Sequence, residues 1–382
     1  MIVDYIIIGQ GLCGTFLSWY LNQYNKTCII IDEDKPFTAS KVSSGIINPI
    51  TGRRFVKTWM IDELLPFANK AYTEISELIN KSISCYPELI EGYLPTVEMT
   101  KYKHNKPIQN INCIEQKNVI HFFSNKESQN IFYNRLQEDP QYLMPSHPFH
   151  LGELVEVNYG YGEINPCYLV NTRSILNNYR KKLIDENQLL NEQFNMDALQ
   201  IHSNSITYKD ITAEKIIFCD GASGANNPFF KNLPYALNKG QFLLIKTEGL
   251  PDNYIFKKST LTIVPWEKNI YWVGTSYEWN FDNTDPTKSF REKTIAQLKE
   301  FLNVPFEVID HQAAIRSATL ERRPFVGLHP SISTIGILNG MGTKGCSLAP
   351  YFAHQLAKHV CFRKEIMPEA NVNRFKNVLD RK

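Results

Sequence analysis

The stretch Asp4–Gly14, DYIIIGQGLCG, constrains what this chain can fold into more than any other. Tyr5–Ile8 is a short continuous apolar run, the pattern of a strand buried on both faces. Gly9, Gly11 and Gly14 follow with the spacing G-x-G-x-x-G, and Leu17, Tyr20, Leu21 and Tyr24 then recur at helical intervals. The order is strand, tight turn, helix. Gly9 permits the turn, Gly11 lets a diphosphate approach the backbone, and Gly14 lets the helix pack on the strand. Leu12 and Cys13 stand at the helix start, where free N–H groups and the helix dipole favour an anion. A second apolar strand, Cys28–Ile31, ends on Asp32, 23 residues after Gly9. A carboxylate there can accept hydrogen bonds from ribose hydroxyls. Together these features predict a dinucleotide-binding fold.

The remaining sequence bounds the setting. A chain of 382 residues is too long for one ordinary core, so two domains are expected. A net charge of +2 gives no electrostatic case for nucleic acid or an anionic membrane. No apolar run reaches the length of a membrane span, and the N-terminus lacks a basic leader, so a cytoplasmic location is expected. The eight cysteines are scattered without a C-x-x-C pair, as for reduced, mostly buried thiols. The nine histidines show no H-E-x-x-H spacing, and no metal centre is expected.

Downstream, Lys41, Val42, Ser43, Ser44 and Gly45 form a small polar loop able to wrap a phosphate. Arg53, Arg54 and Lys57 follow closely and read either as a solvated face or as the lining of an anion site. A helix is predicted over 62–80, with Pro66 tolerated in its first turn. From Tyr86 to Phe149, alternating stretches (Leu94–Met99, Val119–Phe123) between proline-bearing loops predict the start of an antiparallel domain. Apolar spacing from Leu169 to Leu183 predicts a helix. The strand Glu214–Phe218 leads into Asp220, Gly221 and Gly224, a second place where the chain can pass close to a nucleotide. Strands are predicted over 240–245, 260–265 and 270–276, and a helix over 290–301. A strand over 311–319 carries Arg316, followed by a turn at 324–327 and a strand over 334–338. The run Gly340, Met341, Gly342, Thr343, Lys344, Gly345 then precedes a final helix over 347–360.

This order of signals resembles the D-amino-acid oxidase superfamily of flavoproteins, which includes glycine oxidase, sarcosine oxidase and D-amino-acid dehydrogenase. GQGLCG, Asp32 and Ser43–Gly45 resemble its FAD-binding start. Glu163–Val170 resembles its g-x-v-x-P-x-x-L segment, and Ile216–Gly224 its second FAD contact. NKGQFLLI resembles its r-G-Q strand, and Val264–Trp266 with Val273–Trp279 its hairpin. Most specific is IRSATLERRPFVG, in which Arg316 stands eight residues before Pro324 and eleven before Gly327, the R-x7-P-x2-G spacing of glycine oxidases. GMGTKG resembles the closing flavin loop. Glu321 replaces the usual Asp, and Arg322–Arg323 precede Pro324.

The resemblance implies an α/β plus antiparallel-β protein of p-hydroxybenzoate-hydroxylase-like architecture. A discontinuous Rossmann-type FAD domain (1–80, 150–228, 316–382) would be roofed by a mostly antiparallel substrate domain (81–149, 229–315). It implies FAD held by Gly9, Gly11, Leu12, Cys13, Gly14, Asp32, Ser43, Ser44, Gly45, Gly221, Gly224, Gly340, Gly342, Thr343, Lys344 and Gly345. The flavin would be bound non-covalently, because Ser317, Ala318 and Thr319 stand where sarcosine-oxidase-like proteins carry the flavin-bearing cysteine. The implied reaction takes hydride from the Cα–H of an amine bearing a carboxylate to flavin N5, and the imine hydrolyses. Dioxygen or a quinone would reoxidise the flavin. Arg316 would anchor the carboxylate through a two-bond fork, with Lys344 as second anchor. Tyr271, Trp272 and Trp266 are candidates for pocket walls or core. Two further expectations stand beside a small amino acid substrate. One is a tRNA wobble uridine bearing a carboxymethylaminomethyl arm, since GMGTKGCSLAP resembles the closing segment of the enzyme that trims it. The other is a non-catalytic flavin-binding module.

Overall fold

The computed structural model describes residues 1–85, 112–146 and 151–380. Two eight-stranded sheets organise it. In the first, Leu189–Leu190, Cys28–Ile31, Ile2–Ile8, Ile211–Phe218 and Ile335–Asn339 run parallel in that spatial order. Ile6, Ile7 and Ile8 align with Ile29, Ile30 and Ile31 on one side and with Ile216, Ile217 and Phe218 on the other. Both faces are covered, which is why these strands read as continuous apolar runs.

Helix Leu12–Gln23 leaves the first strand through the glycine turn and is buried along most of its length. Helix Gly345–Phe362 lies beside it and points the same way: Gly345 is close to Leu12 at one end, and the Tyr24 and Phe362 rings meet at 5.0 Å at the other. Helix Ile61–Cys85 closes this layer through Phe16–Tyr72 and Phe67–Tyr351 ring contacts, both at 5.1 Å.

The second sheet has the order Glu307–Arg316, Asn238–Lys246, Ile270–Gly274, Leu261–Glu267, Tyr254–Lys258, Asn118–Phe122, Tyr161–Ile164, Leu143–Pro145. Its outer face packs Leu243, Ile245, Phe256, Ile263, Tyr271 and Val273 against Leu298 and Phe301 of helix Lys288–Phe301. Phe242, Val264 and Trp272 lie on the inner face, in the same core as the helices of the first unit. The Trp272 indole donates to the Val42 carbonyl at 3.3 Å, tying this face to the 41–45 loop. Tyr271 therefore belongs to the outer core and Trp272 to the inner face.

The structure differs from the sequence expectations at several places. Strands Tyr254–Lys258 and Asn118–Phe122 pair in parallel, so the second sheet is mixed at that seam. Helix Lys126–Glu138 interrupts the stretch expected to be antiparallel; Asn125 and Ser128 form its capping box. The helix expected from Leu169 starts at Thr172, because Tyr168–Val170 is a strand and the Asn171 side chain caps the helix. Residues 324–327 are not a turn. Phe325–Leu328 pairs antiparallel with Ile335–Asn339, and Pro324 sits before the strand, where its missing N–H costs nothing. The expected strand Leu94–Met99 lies outside the described residues. Among the described residues no helix is long and apolar enough to cross a membrane.

Candidate active site

The glycine turn sits where the parallel strands end. A Cβ at Gly14 would lie 1.9 Å from the Gly9 carbonyl oxygen, and one at Gly9 would lie 2.6 Å from that of Cys219. Both positions are closed to any side chain. At Gly11 a Cβ would meet only the Ser40 hydroxyl, at 3.0 Å, which itself accepts from the Leu12 N–H at 3.2 Å. Gly11 provides no side-chain cap for the helix, and Cys13 is a thiol that burial pushes up to about 12. Asp32 Oδ2 accepts from the Gln10 N–H at 2.9 Å, while Oδ1 accepts from Arg180 at 2.8 Å and from the Asp34 N–H at 2.9 Å. Arg180, nearly buried, also reaches Gln10 and Asn191, so it holds the carboxylate in place from beneath the turn.

Two further segments converge on this cleft. Gly45 has φ +78°, and a Cβ there would fall 2.0 Å from the Val170 carbonyl oxygen. Its N–H donates to Ser43 Oγ at 3.1 Å, and Ser43 Oγ also lies 3.8 Å from Cys346 Sγ. The polar loop containing Ser44 is thus pinned between the second sheet and the start of helix Gly345–Phe362. The 340–345 loop turns on Gly340 and Gly342, both with positive φ, and the Gly342 N–H donates to the Ser317 carbonyl at 2.8 Å. That helix starts without a side-chain cap, directly after Thr343 and Lys344. Because it is parallel to helix Leu12–Gln23, two positive helix ends face the same cleft. At the second glycine site, Gly221 has open space where a Cβ would stand. Gly224 instead makes room for Asn339, Asp220 and Tyr235. Burial pushes the Asp220 carboxyl up to about 6, against hydrogen bonds from Asn227 and Asn339.

These features fit a dinucleotide. Gly9 and Gly14 close the turn against backbone, Gly11 keeps the helix start free of a side chain, two uncapped helix starts face the cleft, and a held carboxylate with a free lone pair on Oδ2 lies at the adjacent strand end.

Arg316 ends its strand on the inner face of the second sheet. Nη1 donates to Asn238 Oδ1 at 2.6 Å and to the Ser276 carbonyl at 3.1 Å, and Nη2 donates to Thr275 Oγ1 at 2.6 Å. The guanidinium lies flat over Gly240, where a Cβ would come within 1.9 Å of Nη2, and its centre is 5.1 Å from the Tyr277 ring. Three of its five N–H groups are used, so Nε–H and one Nη2–H remain.

Lys344 reaches Thr58 Oγ1 at 3.4 Å. Burial, with the Lys257 ammonium nearby, brings its pKa down to about 8. Lys257 stands in register with His121 and Thr262 and is itself lowered by burial. Burial brings His121 down to about 3; its ring packs on Phe55 at 4.7 Å. Among the described residues no acidic side chain forms an ion pair with Arg316, Lys257 or Lys344. Two neighbouring ammoniums in a desolvated space attract an anion. Lys257, His121, Arg180 and Asn238 were not among the residues picked from sequence. Among the described residues no group of three or more His, Cys, Asp and Glu side chains could hold a metal ion.

The comparisons with known proteins place this fold among the flavin-dependent oxidoreductases. The profile of the family described as DAO, FAD dependent oxidoreductase, matches residues 170–359. That match, over just under half of the chain, supports a place in the D-amino-acid oxidase superfamily of FAD-dependent oxidoreductases, with FAD as the cofactor. Over 190 residues it is 27% identical to the tRNA 5-methylaminomethyl-2-thiouridine biosynthesis bifunctional protein MnmC of Marinobacter nauticus. That match covers 44% of this chain and 30% of the bifunctional protein, so the chain spans about a third of that relative. Among solved structures it resembles glycine oxidase from Bacillus cereus (TM-score 0.76, 15% identity, 100% and 99% of the two chains covered). It also resembles glycine oxidase from Geobacillus kaustophilus (TM-score 0.75, 14% identity, 96% of each chain). A third is iminodiacetate oxidase from Chelativorans sp. BNC1 (TM-score 0.71, 17% identity, 96% and 97%). At these identities the likeness is one of fold.

Proposed function

We propose that the chain oxidises the CH–NH bond of an amino acid or N-substituted amino acid. The observation that carries this reading is Arg316, held rigid on the inner face of the second sheet with two N–H groups to spare. Those donors would take the substrate carboxylate and fix its direction as well as its distance. Lys344, with Lys257 behind it, would add attraction for negative charge. The carbon loses a hydride and the nitrogen a proton, a C=N bond forms, and water then splits the imine into a carbonyl compound and an amine. When bound, FAD supplies the hydride acceptor. Gly9–Gly14, Asp32, Ser43–Gly45, Gly221 and the 340–345 loop would hold it, with the two helix starts stabilising negative charge. Attachment would be non-covalent: Ser317, Ala318 and Thr319 offer no thiol, and Cys346 is buried against Ser43. The division into an FAD unit and a substrate unit is likewise our reading, with strand Tyr161–Ile164 moved to the second because it pairs there.

The test is the visible spectrum of the holoprotein, followed anaerobically while glycine, sarcosine and D- and L-amino acids are added. Bleaching by one of them, at least tenfold slower at subsaturating substrate in Arg316→Ala, is expected. Equal single-turnover rates in wild type and variant would sink the anchor.

A second reading, an amine borne on a tRNA wobble base, is favoured by the partial match to the tRNA-modifying protein. The Arg323 guanidinium lies 4.1 Å from the Trp59 ring, whereas Arg53 and Arg54 stand at the tip of the hairpin formed by Ile50–Thr51 and Val56–Lys57. Lys57 is instead ion-paired with Asp62 at 3.0 Å.

A further inference from the structure

We propose that Tyr277 and Trp279 form a stacking subsite beside Arg316 for a planar aromatic ring carried on the substrate amine. This rests on the reading of Arg316 as the carboxylate anchor. Beyond strand Ile270–Gly274 the chain continues alongside Asn238–Lys246. The Ser276 hydroxyl accepts from the Gln241 N–H at 2.9 Å, and Glu278 and Lys239 exchange backbone hydrogen bonds of 3.0 and 2.9 Å. The Glu278 carboxylate accepts from the Gln241 side chain at 2.5 Å, so this residue points to the outer side of the sheet with Lys239. Side chains alternate along the paired backbone, so Tyr277 projects to the opposite side, while Trp279 opens the bend that follows Glu278. Gly240 looks to that side, and the Arg316 guanidinium rests on it.

The two rings are nevertheless 58% and 60% exposed. A backbone pinned at Ser276 and at Glu278 thus holds the Tyr277 ring in water at the edge of the anchor, with the exposed Trp279 two residues further on. Such rings are pre-organised to cover a flat ligand at little entropic cost. One side of Tyr277 is taken by Arg316, at 5.1 Å, and the exposure of the ring leaves surface for a second partner. A ligand with its carboxylate on Arg316 and its ring on Tyr277 and Trp279 has the two groups only a few bonds apart. The class is therefore an amine bearing a short carboxylate arm and an arylmethyl arm. The ring belongs either to a free small molecule or to a base within a polynucleotide.

The test is calorimetry on the holoprotein with acetate, cyclohexylacetate, phenylacetate and indole-3-acetate, none of which needs turnover. Indole-3-acetate should bind about tenfold more tightly than cyclohexylacetate, the range seen for ring stacking. That ratio should fall towards one in Trp279→Ala and Tyr277→Ala and persist in Tyr277→Phe. Equal affinity for the planar and saturated rings in wild type, or a ratio unchanged in both alanine variants, would overturn the proposal. Two arms separate the sources. Bleaching of the flavin by N-benzylglycine with a salt-independent KM assigns a free ligand. Binding of unmodified tRNA that weakens steeply with salt and is lost in Trp279→Ala assigns a polynucleotide. If no amine bleaches the flavin while the indole preference holds, the oxidation reading fails and the subsite stands.

Discussion

Lys344 keeps its charge in surroundings that penalise it, and this makes it the residue whose contribution depends most on pH. Below about 8 it is an ammonium and attracts a carboxylate; above that value it is a neutral amine and does not. Affinity for acetate, read from the flavin spectrum between pH 6 and 9.5, should therefore fall as pH rises through about 8. Lys344→Met should flatten that limb. Lys257→Met should move it upward, because the second cause of the depression is removed. An unchanged midpoint in Lys257→Met would show that the two ammoniums do not sense each other. Arg316, also lowered by burial, stays charged throughout this range, so the limb reports on the lysines alone.

At the scale of the element, Gly11 and Gly14 make different demands although they belong to one motif. A Cβ at Gly14 meets backbone, which cannot yield, whereas a Cβ at Gly11 meets only the Ser40 hydroxyl. Gly11→Val should thus fold with a melting temperature close to that of the apoprotein and purify colourless. Gly14→Ala should lose about 1–3 kcal/mol of stability even without cofactor, as overpacked sites do. Denaturant titration with an absorbance ratio checks both; a yellow, stoichiometric Gly11→Val would remove the glycine from the cradle. This motif could be read because its tightest contact, Gly14 on the Gly9 carbonyl, closes within a few residues of chain. Helix Lys126–Glu138 could not, since Phe132 is the one side chain it buries fully and no apolar stripe forms. Gly162, which looks like a breaker in sequence, is a strand residue whose missing side chain makes room for that ring. Arg180 and Lys257 stand beside other basic residues in RKK and KK. Only tertiary packing distinguishes the buried cation from its neighbours.

Over the whole molecule, the cleft joins the 9–14 turn, the 40–45 loop and the 340–345 loop, and the Trp272–Val42 hydrogen bond fastens the second sheet to the middle one. A ligand that bridges these segments binds the native state and not the unfolded chain. Free FAD at a thousandfold its Kd should add about 4 kcal/mol. Removing the flavin should lower the melting temperature by several degrees and re-addition should restore it; identical melting curves would mean that the cofactor bridges nothing. The parallel pairing of helices Leu12–Gln23 and Gly345–Phe362 carries one more consequence. The two positive helix ends proposed to hold the cofactor come from segments that leave the ribosome at very different times. The early one cannot form the finished cleft until the late one has been translated. Flavin loading would therefore wait until the chain has been translated through the second helix, so yellow colour would report that Phe362 has been reached as well as correct folding.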